Sequence, residues 1–309
     1  MKIVFMGTPE FAVPCLEELA KSYQIQAVFT QPDRRKGRGK KMAMSAVKES
    51  ALSLDIPVYQ PEKIKKSEEV NLLRDLAPDV IVVVAYGQLL SQEILDIPKL
   101  GCINVHASLL PKYRGAAPAN FAILRGEKES GVTTQYMVKK LDAGDVIDKL
   151  TVDIPIDMTA GGLLDELSSK GSELILKTLK DIENGIINRT PQIDEESTYA
   201  PLMDKEMALV KWENSSFDVH NLIRAFNPWP IATTTLNGEK MKLYITEMVD
   251  EKSAGLPGQI TEVNADGILV NCGDKKLLIK EMQMPNKKRM TVSQYILGHT
   301  IDIGTILGE

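Results

Sequence analysis

The chain has 309 residues, 43% of them hydrophobic and 26% charged, with a formal net charge of −5. That length is enough for one large domain or two ordinary ones with a substantial core. No stretch approaches the roughly 18 consecutive apolar residues of a membrane span, and the acidic balance excludes polyanion binding by bulk charge, so any nucleic-acid contact must come from a local basic patch.

Lys2–Met6 is a short apolar run ending at Gly7, followed by a turn and a helical pattern through Leu19. The run begins at once, with neither a secretory nor a transit pattern before it. Cys15, Cys102 and Cys272 are far apart, with neither zinc spacing nor a disulfide framework. The expectation is a cytoplasmic protein with no metal. A second apolar run, Ile25–Thr30, leads into a basic loop, a helix near Ser45–Leu54, a short apolar segment and a helix ending near Leu76. Asp79–Ala85 is almost wholly apolar and β-branched, as a central parallel strand covered on both faces should be. Cys102–His106 is another short strand. Strands alternating with helices predict a Rossmann-like parallel α/β sheet with right-handed crossovers, and a site beyond the carboxyl ends of the strands. That geometry points at Gly7, Ala85–Leu90 and His106.

Two period-two runs, Val132–Val138 and Val146–Ile154, flank the turn Leu141–Asp145 and read as a hairpin. A long helix over Thr159–Asn184 is capped by Gly185. Residues 190–206 are polar and aperiodic, a linker. After one helix, Ser216–Arg224, short strands follow at Ile231–Leu236, Lys242–Thr246, Gly258–Val263, Gly267–Asn271 and Lys276–Glu281, which suggests a small β-barrel of the OB type. The expected division is therefore 1–189, a linker over 190–206, and 207–309.

The most informative segment is Asn104–Gly115. Asn104 and His106 lie two apart on a strand, so their side chains share a face. A buried polar pair is costly unless it is hydrogen-bonded or functional. Pro111 forces the chain to turn just after it. Downstream, Asp142 and Asp145 occupy the Leu141–Asp145 turn, and spacing alone does not choose between them.

Asn104, His106 and the run from His106 to Gly115, with the later Leu141-Asp142-Ala143-Gly144, resemble the folate-dependent formyltransferases. The resemblance covers the whole first domain. It implies that Asn104, His106 and Asp142 form the catalytic group, with Asp142 preferred because the family's aspartate follows the leucine. It implies 10-formyltetrahydrofolate as formyl donor, seated against Gln88, Leu89 and Leu90 and the Ser108-Leu109-Leu110-Pro111 turn. The residue types suit that chemistry. A neutral amine attacks the formyl carbon, and Asn104 and a protonated His106 can donate to the developing oxyanion. Ser108 lacks a base and an orienting partner in sequence and is read as ordering its loop, not as a nucleophile.

Arg34–Lys41 contains six basic residues and two glycines. It resembles the inserted loop of those family members that act on methionyl-tRNA, which implies contacts to initiator methionyl-tRNA from Arg34, Arg35, Lys36, Arg38, Lys40 and Lys41, with Arg38 foremost. The segment from Trp212 to Ala232 resembles the opening of the family's C-terminal domain, in which Lys287, Lys288 and Arg289 form the local basic cluster. Trp212 and Trp229 could stack on a base; Trp229, between Pro228 and Pro230, is read as packing at the domain junction, and neither is assigned to binding. No membrane partner is implied, and a monomer is expected.

Overall fold

The computed structural model describes residues 1–36 and 41–309. The chain separates into two compact units: Met1–Pro118, Ser130–Val152 and Leu164–Ala200 make the first, and Ala119–Glu129, Asp153–Leu163 and Pro201–Glu309 the second.

Among the described residues, eleven strands precede residue 201: β1 (Lys2–Gly7), β2 (Gln24–Phe29), β3 (Arg34–Lys36), β4 (Lys41–Ala43), β5 (Val58–Tyr59), β6 (Val80–Val84), β7 (Cys102–His106), β8 (Arg114–Gly115), β9 (Glu129–Tyr136), β10 (Val146–Asp153) and β11 (Tyr199–Ala200). The helices of this part are α1 (Val13–Ser22), α2 (Ala46–Ser53), α3 (Ser67–Leu76), α4 (Gln92–Leu95), α5 (Pro118–Leu124) and α6 (Ala160–Glu183). The main sheet runs β10-β9-β7-β6-β1-β2-β5. Pairs β1–β2, β1–β6, β6–β7 and β2–β5 are parallel, whereas β7–β9 is antiparallel, so the sheet is mixed where the sequence suggested a parallel one.

The core shows why β1 and β6 read as unbroken apolar runs. Ile3, Phe5, Val80, Val82 and Val84 face a cluster with Cys15, Leu16 and Leu19 of α1 and with Ile175, Leu179 and Ile182 of α6. Val4, Met6, Ile81 and Val83 face a second cluster with Val70 and Leu73 of α3 and Ile94 and Leu95 of α4. Side chains alternate across a strand, so both faces must be apolar when helices cover both. Burial pushes the Cys15 thiol up to about 12, which leaves it a small hydrophobe at neutral pH.

In the second unit, α7 (Ser216–Ala225) precedes β12 (Ala232–Leu236), β13 (Glu239–Lys252), β14 (Ile260–Asn264), β15 (Gly267–Asn271), β16 (Lys275–Gln283), β17 (Met290–Thr291) and α8 (Val292–Ile296). The strands form an antiparallel sheet in the order β12-β13-β16-β15-β14, with β17 on β16. Register shifts in β13 mark bulges that let a long strand bend. Trp212 is buried among these strands and donates from Nε1 to Thr234 Oγ1 at 3.0 Å, which makes it a packing residue and not a surface on which a base could stack. Trp229 differs from its expected packing role, for it is 53% exposed. No helix among the described residues is long and apolar enough to cross a membrane.

Candidate active site

β7 ends at His106, and the next residues fold back at once. The Ser108 hydroxyl donates to the Lys112 carbonyl at 2.6 Å, and Thr133 Oγ1 donates to the Ser108 carbonyl at 2.6 Å. The Leu110–Pro111 bond is cis. Ser108 is thus committed to shaping its own turn. Leu110 is fully buried, Leu109 is half-buried, and Lys149 Nζ reaches the Leu110 carbonyl.

The turn returns Tyr113 to the imidazole, whose Nε2 lies 2.9 Å from the Tyr113 carbonyl. The opposite ring nitrogen, Nδ1, is 3.8 Å from Asp142 Oδ2, and both side chains are nearly buried. Asp142 Oδ2 also accepts from the Gly115 N–H at 2.9 Å, and Oδ1 accepts from Gln135 Nε2 at 3.3 Å. Asp145, the rival acid, lies 3.8 Å from Arg189. Asn104 sits between Val83 on β6 and Gln135 on β9, on the same face of β7 as His106. It is 8% exposed, and among the described residues its amide has no hydrogen-bond partner. The amide is not among the fully enclosed unpartnered polar atoms, so it still meets solvent and is available to a bound group.

Gly115 owes its identity to this site. It has φ +112°, and a Cβ there would come within 2.6 Å of the Ala200 carbonyl on β11. Sequence inspection missed several residues of the site: Gly115, Gln135, and Gln192 and Thr198 of the segment read as a linker. Thr198 Oγ1 accepts from the Tyr113 N–H at 2.8 Å, and Gln192 Nε2 lies 2.9 Å from the Asp142 carbonyl. Gly115 closes the run that carries the resemblance but was given no role there; Gln135, Gln192 and Thr198 carry no local pattern that would have marked them.

The loop after β6 turns through Ala85 at φ +48° and Gly87 at φ +87°. Gln88 braces it, accepting from the Ile64 N–H and donating to the Pro61 carbonyl, each at 2.9 Å. Leu89 is 64% exposed and Leu90 is buried. A cleft of about 580 Å³ opens at the carboxyl ends of β1, β2 and β6, lined by Thr8, Glu10, Gln31, Ala85 and Gly87, with Arg34 and Arg35 at its edge. The basic loop is a hairpin at its base, with β3 antiparallel to β4, which places Lys36 opposite Lys41. Arg38 and Lys40 lie outside the described residues. In the second unit, Lys287 and Lys288 are exposed, whereas Arg289 is held by Glu281 at 2.6 Å and stacks its guanidinium over the Tyr244 ring.

Residues 1–179 match the formyl transferase family, and residues 202–300 match the formyl transferase C-terminal domain. The methionyl-tRNA formyltransferase of Acetivibrio thermocellus is 51% identical over 311 residues, covering all of both chains. That of Clostridioides difficile is 53% identical over 309 residues, again with full coverage of both. Among solved structures, the N-formyltransferase from Helicobacter canadensis, in complex with folinic acid and dTDP-3-aminofucose, superposes with a TM-score of 0.68 at 23% identity over 90% of this chain and 99% of its own. HypX from Aquifex aeolicus, in complex with tetrahydrofolic acid, gives 0.64 at 19% identity over 99% of this chain and 50% of its own. The last two share the fold; the first two align along the whole length with about half of all residues identical, and by that measure the chain belongs to the methionyl-tRNA formyltransferase family of formyl transferases.

Proposed function

We propose that this chain transfers the formyl group of 10-formyltetrahydrofolate to the α-amino group of methionine on initiator tRNA, for translation initiation. The observation that carries the chemistry is the meeting of His106 and Asp142 beside the unpaired Asn104 amide. The amine attacks the formyl carbon of the folate directly; the bond from that carbon to folate N10 then breaks, N10 takes up a proton as the amine loses one, and tetrahydrofolate leaves. Asn104 donates to the oxygen on which charge develops. His106 exchanges a proton, and Asp142 holds a compensating negative charge beside it.

The donor is read to lie against the loop of Gln88, Leu89 and Leu90 and the Ser108–Pro111 turn. Two braces support that reading, since Gln88 and Ser108 hold backbone in place for a flat ring to be read by main-chain groups. The tRNA is read to contact Arg34, Arg35, Lys36, Arg38, Lys40 and Lys41, and, through a C-terminal domain over 207–309, Lys287 and Lys288. Arg289 contributes less, because Glu281 already holds it. The protein acts as a cytoplasmic monomer, with 1–189 as its catalytic domain and 190–206 as the link.

The test is incubation with labelled 10-formyltetrahydrofolate and either methionyl-tRNA or amino-sugar nucleotides. Label in formylmethionyl-tRNA supports the proposal; label confined to the sugar overturns it.

A further inference from the structure

Arg114, Gln192, Gln135 and Asp142 form one hydrogen-bonded chain whose polarity is fixed at both ends. The buried Arg114 guanidinium donates from Nε and Nη2 to Gln192 Oε1 at 3.1 and 2.9 Å. Its Nη1 is anchored on Asp194 at 2.8 Å. Gln192 Nε2 donates to Gln135 Oε1 at 3.1 Å, and Gln135 Nε2 donates in turn to Asp142 Oδ1 at 3.3 Å. A guanidinium only donates and a carboxylate only accepts. Each amide between them therefore has one orientation that satisfies both neighbours. Reversing either sets oxygen against oxygen at the next link.

The same Gln192 Nε2 lies 2.9 Å from the Asp142 carbonyl and 2.7 Å from the Gly144 carbonyl. Its two hydrogens are thus shared among three acceptors, two on the backbone of the turn and one on the group that holds the Asp142 side chain. Asp142 needs such restraint, because its φ of +47° is a conformation that residues other than glycine adopt at a cost.

We propose that Gln192 and Gln135, oriented from Arg114, are positioning residues that aim the Asp142 carboxylate at His106 Nδ1. The proposal rests on the functional reading above. Without the donor on Oδ1, the carboxylate turns about its terminal bond, and Oδ2 leaves the place where the Gly115 N–H and the imidazole converge on it.

Gln192→Glu is the informative variant. It is nearly isosteric and keeps an acceptor for Arg114, but it turns an acceptor toward Gln135 Oε1 and two carbonyls. Gln135→Met removes the last donor together with the acceptor that faces Gln192, adds no charge, and gives the same reading should Gln192→Glu fail to fold. Steady-state formylation of methionyl-tRNA is measured with native circular dichroism as the control. In each folded variant kcat should fall roughly tenfold or more, while KM for folate and for tRNA moves less than about twofold. Unchanged kcat, or KM rising with kcat intact as a loosened cleft would give, overturns the proposal. Wild-type protein that does not formylate methionyl-tRNA would overturn the functional reading instead, so the two failures are told apart.

Discussion

His106 Nε2 lies 2.9 Å from the Tyr113 carbonyl oxygen. A carbonyl only accepts, so Nε2 keeps its proton in both charge states of the ring. The nitrogen left to exchange a proton is Nδ1, which looks toward Asp142. His106→Ala removes that exchange and should lower single-turnover formyl transfer about 10²–10⁴-fold with folate binding nearly unchanged. A smaller loss than tenfold would remove His106 from the chemistry.

Asn104 offers a donor and no charge. Asn104→Asp keeps the volume and replaces the N–H with a second acceptor. The expected loss in kcat is about 10²–10³, as for removal of one oxyanion donor. Fluorescence titration with folate separates this from a binding defect, since the affinity should hold.

The basic hairpin makes a different kind of prediction. Deleting residues 34–41 should abolish formylation of tRNA and leave folate binding intact. In the wild-type protein, apparent affinity for tRNA should fall steeply with salt, because each neutralised phosphate releases counterions. A flat salt response in filter binding would remove the hairpin from the tRNA contact.

Gly115→Ala brings a Cβ against the Ala200 carbonyl and strains a backbone already at φ +112°. It should cost about 1–3 kcal/mol of stability and displace the N–H that Asp142 accepts from. Thermal melting and kcat, measured together, should both drop.

His220 supplies a pH dependence. Burial, with Arg224 adding to it, pulls its pKa below the usual 6.5, against the opposing pull of the Ile156 carbonyl and Asp157. Its Nδ1 meets Thr246 Oγ1 at 2.9 Å and its Nε2 the Ile156 carbonyl at 2.8 Å, both in the second unit. With a folded pKa below the unfolded one, the unfolded chain binds the proton more readily. The stabilisation is present above about pH 6.5 and is lost as pH falls through the depressed value. His220→Gln should flatten the acid side of a denaturant midpoint plotted against pH; an unaltered slope would show that another group titrates there.

The parts of this molecule that could be read from its sequence are those set by local pattern. Strand β7 was legible because Asn104 and His106 share a parity and Gly101 and Pro111 bound the run. The extent of β13 was not: only Lys242–Thr246 looks strand-like, yet the strand continues through Asp250 and Glu251 because β16 supplies its ladder. Nor was the restraint on Asp142. Gln135, Gln192 and Gly115 lie far apart in the chain, and a glutamine has no preference for such a role until its neighbours fix which end of the amide points where. Within the segment read as a linker, the pairing of Tyr199–Ala200 with Arg114–Gly115 was hidden for a similar reason, since the strand exists only through its distant partner.

The second unit draws on Ala119–Glu129 and Asp153–Leu163 as well as on everything from Pro201. On the ribosome those two early segments emerge long before the rest. At about 5–20 residues per second, the Asn120 amide waits several seconds for the Ala225 carbonyl that accepts it. A nascent chain stalled near residue 200 would hold two orphaned segments in an otherwise completed first unit, which makes the latter third of synthesis the interval in which chaperones have most to recognise.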